Sequence, residues 1–260
     1  MIAAIAGDMI GSVHERANIK RTNFQLFGPH SRFTDDTVMT LAVAETILRG
    51  RPYAETLRGF GRRYPDRGYG GMFRKWLADE TMGPYQSFGN GSAMRASPVG
   101  FAARSLDEAL GEARRSALPT HDHPEGIKGA EALAAAIFLA RRGADKKAIR
   151  AAIESRFGYD LHRRVDAIRP GYRFDVTCQG SVPEAIIAFL DSDDVESAIR
   201  LAISLGGDAD TLACMAGAVA QAFYKVVPAA IVAEVERRLT PELWALTQEF
   251  CERYAVRYRE

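Results

Sequence analysis

Cysteine is scarce in this chain. Cys178, Cys214 and Cys251 are widely spaced, odd in number and form no C-x-x-C pair, which argues against a disulfide framework or a zinc knuckle and fits a reducing cytoplasm. Long apolar runs are also missing, and no window approaches the ~20 apolar residues of a membrane span. The apolar start Met1-Ile2-Ala3-Ala4-Ile5-Ala6 has no basic region and is cut short by Gly7-Asp8, so it does not read as a signal peptide. Neither sign of charge is in excess. With 34 Lys plus Arg against 33 Asp plus Glu, the formal net charge is +1, which gives no electrostatic case for nucleic acid or a membrane surface. Strand alternation is nearly absent too: Tyr172-Arg173-Phe174-Asp175-Val176 can extend but makes no sheet.

What is present is helical periodicity. Apolar residues recur at helical spacing over Thr34 to Leu48, ending at Gly50, and over Glu125 to Leu139, which follows Pro124 and ends at Gly143. Glu184 to Leu190, Val195 to Leu205, Thr211 to Val226 and Pro241 to Tyr254 read the same way, the last with Thr240 as its cap. An all-α globule follows, one domain over residues 1–260 with no evident linker and with a monomer as the default. Trp76, Trp244 and Phe250 fall on apolar stripes and are expected in the core, as is an inert Cys214 thiol. Arg62-Arg63 and Lys146-Lys147 read as solvated helix faces, and Glu252, Arg253, Arg257, Arg259 and Glu260 as a mixed-charge exposed helix.

Two short acidic clusters stand far apart, Thr34-Asp35-Asp36-Thr37 and Gly206-Gly207-Asp208-Ala209-Asp210-Thr211, and each runs into an apolar helical stretch. Asp and Thr are common at helix N-termini, where they cap free N–H groups and oppose the macrodipole. One cap needs only one acceptor, so the doubled Asp35-Asp36 and the Asp208/Asp210 pair exceed that need. If the fold brings the two helix starts together, four carboxylates share one small volume and cannot stay ionised without cations. A pair of hard divalent metals answers that need. The loops Gly68-Tyr69-Gly70-Gly71 and Ser87-Phe88-Gly89-Asn90-Gly91-Ser92 precede helical segments, where free N–H groups suit phosphate. Gly89-x-Gly91 lacks the strand and the further glycine of a dinucleotide fingerprint, so an ordinary loop is the competing reading.

Taken in order, Gly7-Asp8-Met9-Ile10-Gly11, Phe33-Thr34-Asp35-Asp36-Thr37, Tyr69-Gly70-Gly71, Gly89-Asn90-Gly91-Ser92-Ala93-Met94-Arg95, Thr120-His121 and Gly206-Gly207-Asp208-Ala209-Asp210-Thr211 resemble the ADP-ribosylglycohydrolase family. The resemblance covers most of the chain and implies that family's all-α fold with a binuclear magnesium or manganese centre. Carried over by position, it implies Thr34, Asp35, Asp36, Asp208, Asp210 and Thr211 as metal ligands. Of these carboxylates, Asp35 or Asp36 can take the proton of the attacking water while its other oxygen stays on metal. The resemblance implies that Glu15 reaches the catalytic centre from a mobile loop. Gly70, Gly71, Asn90, Gly91 and Ser92 would hold the diphosphate and distal ribose, and His121 would line that pocket. The implied reaction is hydrolysis of the C1″ bond of an ADP-ribosylated protein or a small ADP-ribosyl conjugate, releasing ADP-ribose. Arginine-linked groups are the first expectation, with serine-linked groups, O-acetyl-ADP-ribose and modified bases as the others. The transition state has oxocarbenium character, so the cations belong on the ribose hydroxyls and on water rather than on the ring.

Two rival readings carry different expectations. His121-Asp122 is also the centre of HD-type metal phosphohydrolases, which would need His14 or His30 upstream and Asp160 or Asp166 downstream. A non-catalytic ADP-ribose-binding protein would keep the fold without turnover. For the adenine, Tyr69 and Tyr172 are the aromatic candidates.

Overall fold

The computed structural model describes residues 1–259 and is all-α. Its helices are α1 (Ile2–Gly11), α2 (Asp35–Arg49), α3 (Tyr53–Arg63), α4 (Gly71–Ala78), α5 (Gly91–Met94), α6 (Ser97–Ala102), α7 (Leu106–Ala117) and α8 (Pro124–Arg141). They continue as α9 (Lys146–Phe157), α10 (Val165–Ile168), α11 (Cys178–Leu190), α12 (Val195–Ser204), α13 (Ala209–Tyr224), α14 (Ala229–Arg238) and α15 (Pro241–Arg253). The only β pairing among the described residues is an isolated bridge between Gly89 and Thr177.

Local chemistry sets the helix ends. Thr34 caps α2 by accepting from the Asp36 amide, Asp35 and Asp36 oppose the dipole in its first turn, and Gly50 closes it in a left-handed conformation at φ 67°. Thr240 caps α15 ahead of Pro241, and His123 caps α8 ahead of Pro124. Asp208 is different: it precedes α13 but makes no capping bond, which leaves its oxygens free for something else.

One hydrophobic core takes in residues from α1 to α15. Helix α13 lies at its centre, packed on α1, α12, α11 and α8. The crossing of α1 over α13 is close because glycine permits it. A Cβ on Gly11 would overlap the Asp210 Cα, and one on Gly217 would overlap the Ala3 carbonyl. This packing carries the C-terminal end of α1 to the start of α13. Trp76 and Phe250 are fully enclosed and Trp244 is buried, as their apolar stripes suggested.

Three expectations are revised. Helix α11 begins at Cys178 rather than Glu184, because Thr177 caps it and Pro183, close to the N-terminus, is accommodated inside it. The charged C-terminus is not helical beyond Arg253: Val256 is buried, the Tyr258 carbonyl accepts from the Val227 amide, and Glu260 lies outside the described residues. Lys146 is only partly exposed; its ammonium donates to the Ser192 carbonyl beside the rings of Phe189, Phe223 and Tyr224. No helix is long and apolar enough to cross a membrane among the described residues.

Candidate active site

The starts of α2 and α13 meet. The Thr211 hydroxyl donates to Asp36 Oδ2 at 3.3 Å, across 175 positions of sequence, and the Thr34 hydroxyl lies 3.4 Å from the same oxygen. Asp208 accepts from Asn90 Nδ2 at 2.7 Å, which turns its carboxylate toward this junction. Asp35 is partly exposed and reaches the same space, whereas Asp36, Asp208 and Asp210 are buried.

A residue not singled out from the sequence sits behind them. Asp8, midway along α1 and fully buried, accepts from the Thr34 amide at 2.9 Å, the Thr34 hydroxyl at 2.6 Å, the Thr37 amide at 3.1 Å and the Thr37 hydroxyl. Oxygens of Asp8, Asp36 and Asp210 lie within 4.8 Å of one another. The signal for Asp8 was available: a lone carboxylate among Ile2, Ala3, Ala4, Ile5, Ala6, Met9 and Ile10 must be buried, and a buried carboxylate needs partners.

Electrostatics follow from this crowding. Burial pushes Asp8 up to about 6, against the pull of its bonds from Thr34 and Thr37. Burial, then the charges of Asp8, Asp208 and Glu15, push Asp35 up to about 8. Burial and neighbouring carboxylates hold Asp36 and Asp210 well above the usual range. Asp36 Oδ1 is buried with no hydrogen-bond partner, an expensive condition for a carboxylate oxygen. An all-oxygen donor set of clustered carboxylates and threonine hydroxyls, one with an unsatisfied atom, fits hard divalent cations such as Mg²⁺ or Mn²⁺.

The cluster forms the floor of a cavity of about 550 Å³. Glu15, Thr34, Asp35, Asp36, Asp208, Asp210 and Thr211 line it, and so do Gly70, Gly71, Asn90, Gly91 and His121. Ser92 does not. It is fully buried and its hydroxyl donates to the Gly126 carbonyl at 2.6 Å, so it shapes the loop from behind. His121 is buried against Gly91 with Nδ1 2.7 Å from the Thr120 hydroxyl; burial and then Arg95 push its pKa well below 6.5, leaving a neutral ring. The two tyrosines considered for adenine face elsewhere. Tyr69 stacks on Phe73 and donates to the Tyr64 carbonyl, and Tyr172 donates to the Gly180 carbonyl. The apolar side chains that line the cavity include Met72, Phe73, Tyr85, Phe174 and Val176, of which Phe174 is 55% exposed.

The HD constellation is not assembled. Asp122 accepts from Gln86, Asp160 and Asp166 pair with Arg163 and Arg169, and the His14 ring packs edge-on against Phe24. Among the described residues the one group of three or more close metal-ligating side chains is Asp8, Asp36 and Asp210.

Comparison with known proteins agrees with this architecture. The family model described as ADP-ribosylglycohydrolase matches residues 1–260. ADP-ribosylhydrolase ARH3 of Bos taurus is 28% identical over 288 residues, covering 85% of this chain and 74% of that protein. The Homo sapiens ARH3 is 29% identical over 287 residues, covering 85% and 75%. ADP-ribosylarginine hydrolase Tri1 of Pseudomonas putida (strain GB-1) is 30% identical over 219 residues, covering 75% and 59%. A solved structure titled ADP-ribosylglycohydrolase-related protein complex superposes with a TM-score of 0.71 at 29% identity, covering 96% of both chains.

Proposed function

The chain belongs to the ADP-ribosylglycohydrolase family, and from that premise we propose that it is a metal-dependent hydrolase of the C1″ glycosidic bond of ADP-ribosylated substrates, with arginine-linked ADP-ribose as the first acceptor to test. The observation that carries this reading is the meeting of two oxygen-rich helix starts at the floor of a cavity whose volume suits a small-molecule ligand.

Thr34, Asp35, Asp36, Asp208, Asp210 and Thr211 are the proposed holders of two Mg²⁺ or Mn²⁺ ions, which when bound supply Lewis acidity toward water and an anchor for the ribose hydroxyls. Asp8 fixes Thr34 and Thr37 through four hydrogen bonds and so sets the position of the α2 start. Asn90 orients Asp208. Asp35 is the proposed base, because of the two carboxylates at the α2 start, both of which line the cavity, it is the more exposed. It takes a proton from the attacking water as the glycosidic bond to the acceptor breaks, and the departing acceptor atom takes up a proton in exchange, so that ADP-ribose and the free acceptor are the products and Asp35 is ionised again. Glu15 lines the same cavity and orients water or ribose hydroxyls. Gly70, Gly71, Asn90 and Gly91 line the cavity and are the proposed backbone for the diphosphate, and His121 lines the same pocket. The apolar side chains of Phe174 and Val176 offer surface for the base.

The test is incubation of the purified protein with a panel of arginine-linked, serine-linked and O-acetyl ADP-ribosyl conjugates, scoring free ADP-ribose. Activity is expected to vanish on chelation and to return with Mg²⁺ or Mn²⁺. Rescue by zinc alone would refute the oxygen-ligand assignment, and ADP-ribose binding with no turnover of any conjugate would refute the hydrolase.

A further inference from the structure

Arg95 follows α5 and is 1% exposed, yet no carboxylate pairs with it among the described residues. Its guanidinium donates to the Ser116 carbonyl at 2.8 Å, the Ala117 carbonyl at 3.5 Å and the Thr120 hydroxyl at 2.9 Å, while its Nε is buried with no hydrogen-bond partner. A buried cation held only by neutral acceptors is destabilising, so its place calls for a reason. Two of its bonds meet carbonyls of the last turn of α7, where positive charge opposes the macrodipole. The bond to Thr120 lies beyond that helix and does nothing for it.

Thr120 passes the constraint to its neighbour. A guanidinium only donates, so the Thr120 oxygen accepts from Arg95 and keeps its own proton to give away. Among the described residues the acceptor within hydrogen-bond distance of that hydroxyl is His121 Nδ1, at 2.7 Å. A proton on Nδ1 would leave the buried hydroxyl with nothing to receive its own, so the ring proton belongs on Nε2. That atom faces the glycine loop: a Cβ placed on Gly91 would lie 3.1 Å from it, and one on Gly89 3.7 Å. The ring lines the cavity, and the bond it makes inside the protein is through Nδ1.

Resting on the reading above that this loop holds the diphosphate, we propose that Arg95 and Thr120 are positioning residues that fix His121 in the Nε2–H tautomer, so that its ring offers a hydrogen bond to an anionic oxygen of the ligand beside Gly89 and Gly91. Thr120 does not line the cavity and acts only through the ring. The tautomer decides the sign of the contact. With Nε2 as a donor the ring attracts a phosphate oxygen, and with Nε2 as an acceptor it repels one. Burial of the ring leaves the neutral form to do this, so the direction of one hydroxyl proton sets what the loop receives.

The experiment reads the tautomer first in ligand-free protein. The chain, labelled with nitrogen-15 at histidine and supplied with Mg²⁺, is studied by NMR, and the His121 signals are picked out among the five histidines by their absence from His121→Gln. Wild type is expected to carry its ring proton on Nε2 and none on Nδ1. Thr120→Val removes the hydroxyl while keeping the branched shape, and is expected to release the ring to a mixture of tautomers and to raise the Kd for ADP-ribose by about tenfold in calorimetry. Thr120→Ser is expected to restore both. Arg95→Met is expected to give the same mixture with a lower Tm, because it also strips the α7 carbonyls of their partner; whether or not it folds, the two Thr120 variants decide. A wild-type ring protonated on Nδ1 would overturn the proposal, since the hydroxyl would then turn its proton toward Tyr85. An unchanged His121 spectrum in Thr120→Val would overturn it as well, and so would a changed tautomer with unchanged ADP-ribose affinity, which would make the relay a packing feature only. Failure of wild type to bind ADP-ribose at all would instead sink the reading beneath it, and the two failures are told apart because the tautomer is scored without ligand.

Discussion

Asp8 accepts four hydrogen bonds and donates none, so the isosteric Asp8→Asn replacement is informative. An amide presents donors to groups that are themselves donors, and Thr34 and Thr37 then lose their anchor. Supporting residues of this kind change metal affinity by about 10- to 100-fold when altered; Mn²⁺ titration of Asp8→Asn is expected to fall in that range, and an unchanged affinity would mean that Asp8 is only a core residue. The raised carboxyls also set a pH dependence. Asp8 and Asp35 titrate at about 6 and about 8 in the cation-free fold against ~4 in an unfolded chain. The folded state therefore binds these protons more tightly than the unfolded one, so the contribution of the two carboxyls to stability is full below pH ~4 and is lost as pH rises toward 8. Melting in a chelator is expected to show Tm falling over that window, and saturating Mg²⁺ to remove the fall. A cation-free Tm that rises with pH would contradict the crowding.

At the scale of elements, the α1 crossing over α13 sets the distance between Asp8 and Asp210. Gly11→Ala and Gly217→Ala each force a methyl into backbone, at a cost of about 1–3 kcal/mol. Gly11 abuts Asp210 itself, whereas Gly217 lies two turns further along α13 against Ala3. Both variants are expected to melt lower, but Gly11→Ala alone is expected to weaken Mn²⁺ binding; equal loss of affinity in the two would show that Gly11 acts through general stability and not through its contact with Asp210. How far these elements could be read in advance depended on punctuation. Helices α2, α8 and α15 were legible because Thr34, Gly50, Pro124, Thr240 and Pro241 mark their ends, and α12 and α13 because apolar residues recur at helical spacing. Helix α1 was not, because a helix buried on every side has no polar face to give it a period. Asp8 was harder to place: the acidic clusters announced themselves by being doubled, while the apolar run around a single carboxylate shows that it is buried but not that its partners lie 26 and 29 positions away. Ser92 shows the opposite error, since a motif position does not tell which way a side chain turns.

For the whole molecule, the acidic floor is a small part of a structure whose core takes in residues from α1 to α15. Unlike a small metal-folded module, this chain has enough buried apolar surface to stay folded without cations. Chelation is accordingly expected to end turnover while leaving far-UV helicity intact. Adding back Mg²⁺ or Mn²⁺ at a hundredfold excess over Kd is expected to raise Tm by roughly 5–10 °C. Collapse of the helical signal on chelation would place the cations in the folding of the chain rather than in its chemistry.

The bond from Thr211 to Asp36 joins residues 175 positions apart. A growing polypeptide emerging from the ribosome therefore presents Asp8, Asp35 and Asp36 long before Asp208 and Asp210 exist to meet them. On the proposed ligand set, tight loading with magnesium or manganese must wait until the segment carrying Asp208 and Asp210 has been made, so a product terminated before it lacks the second half of the cage.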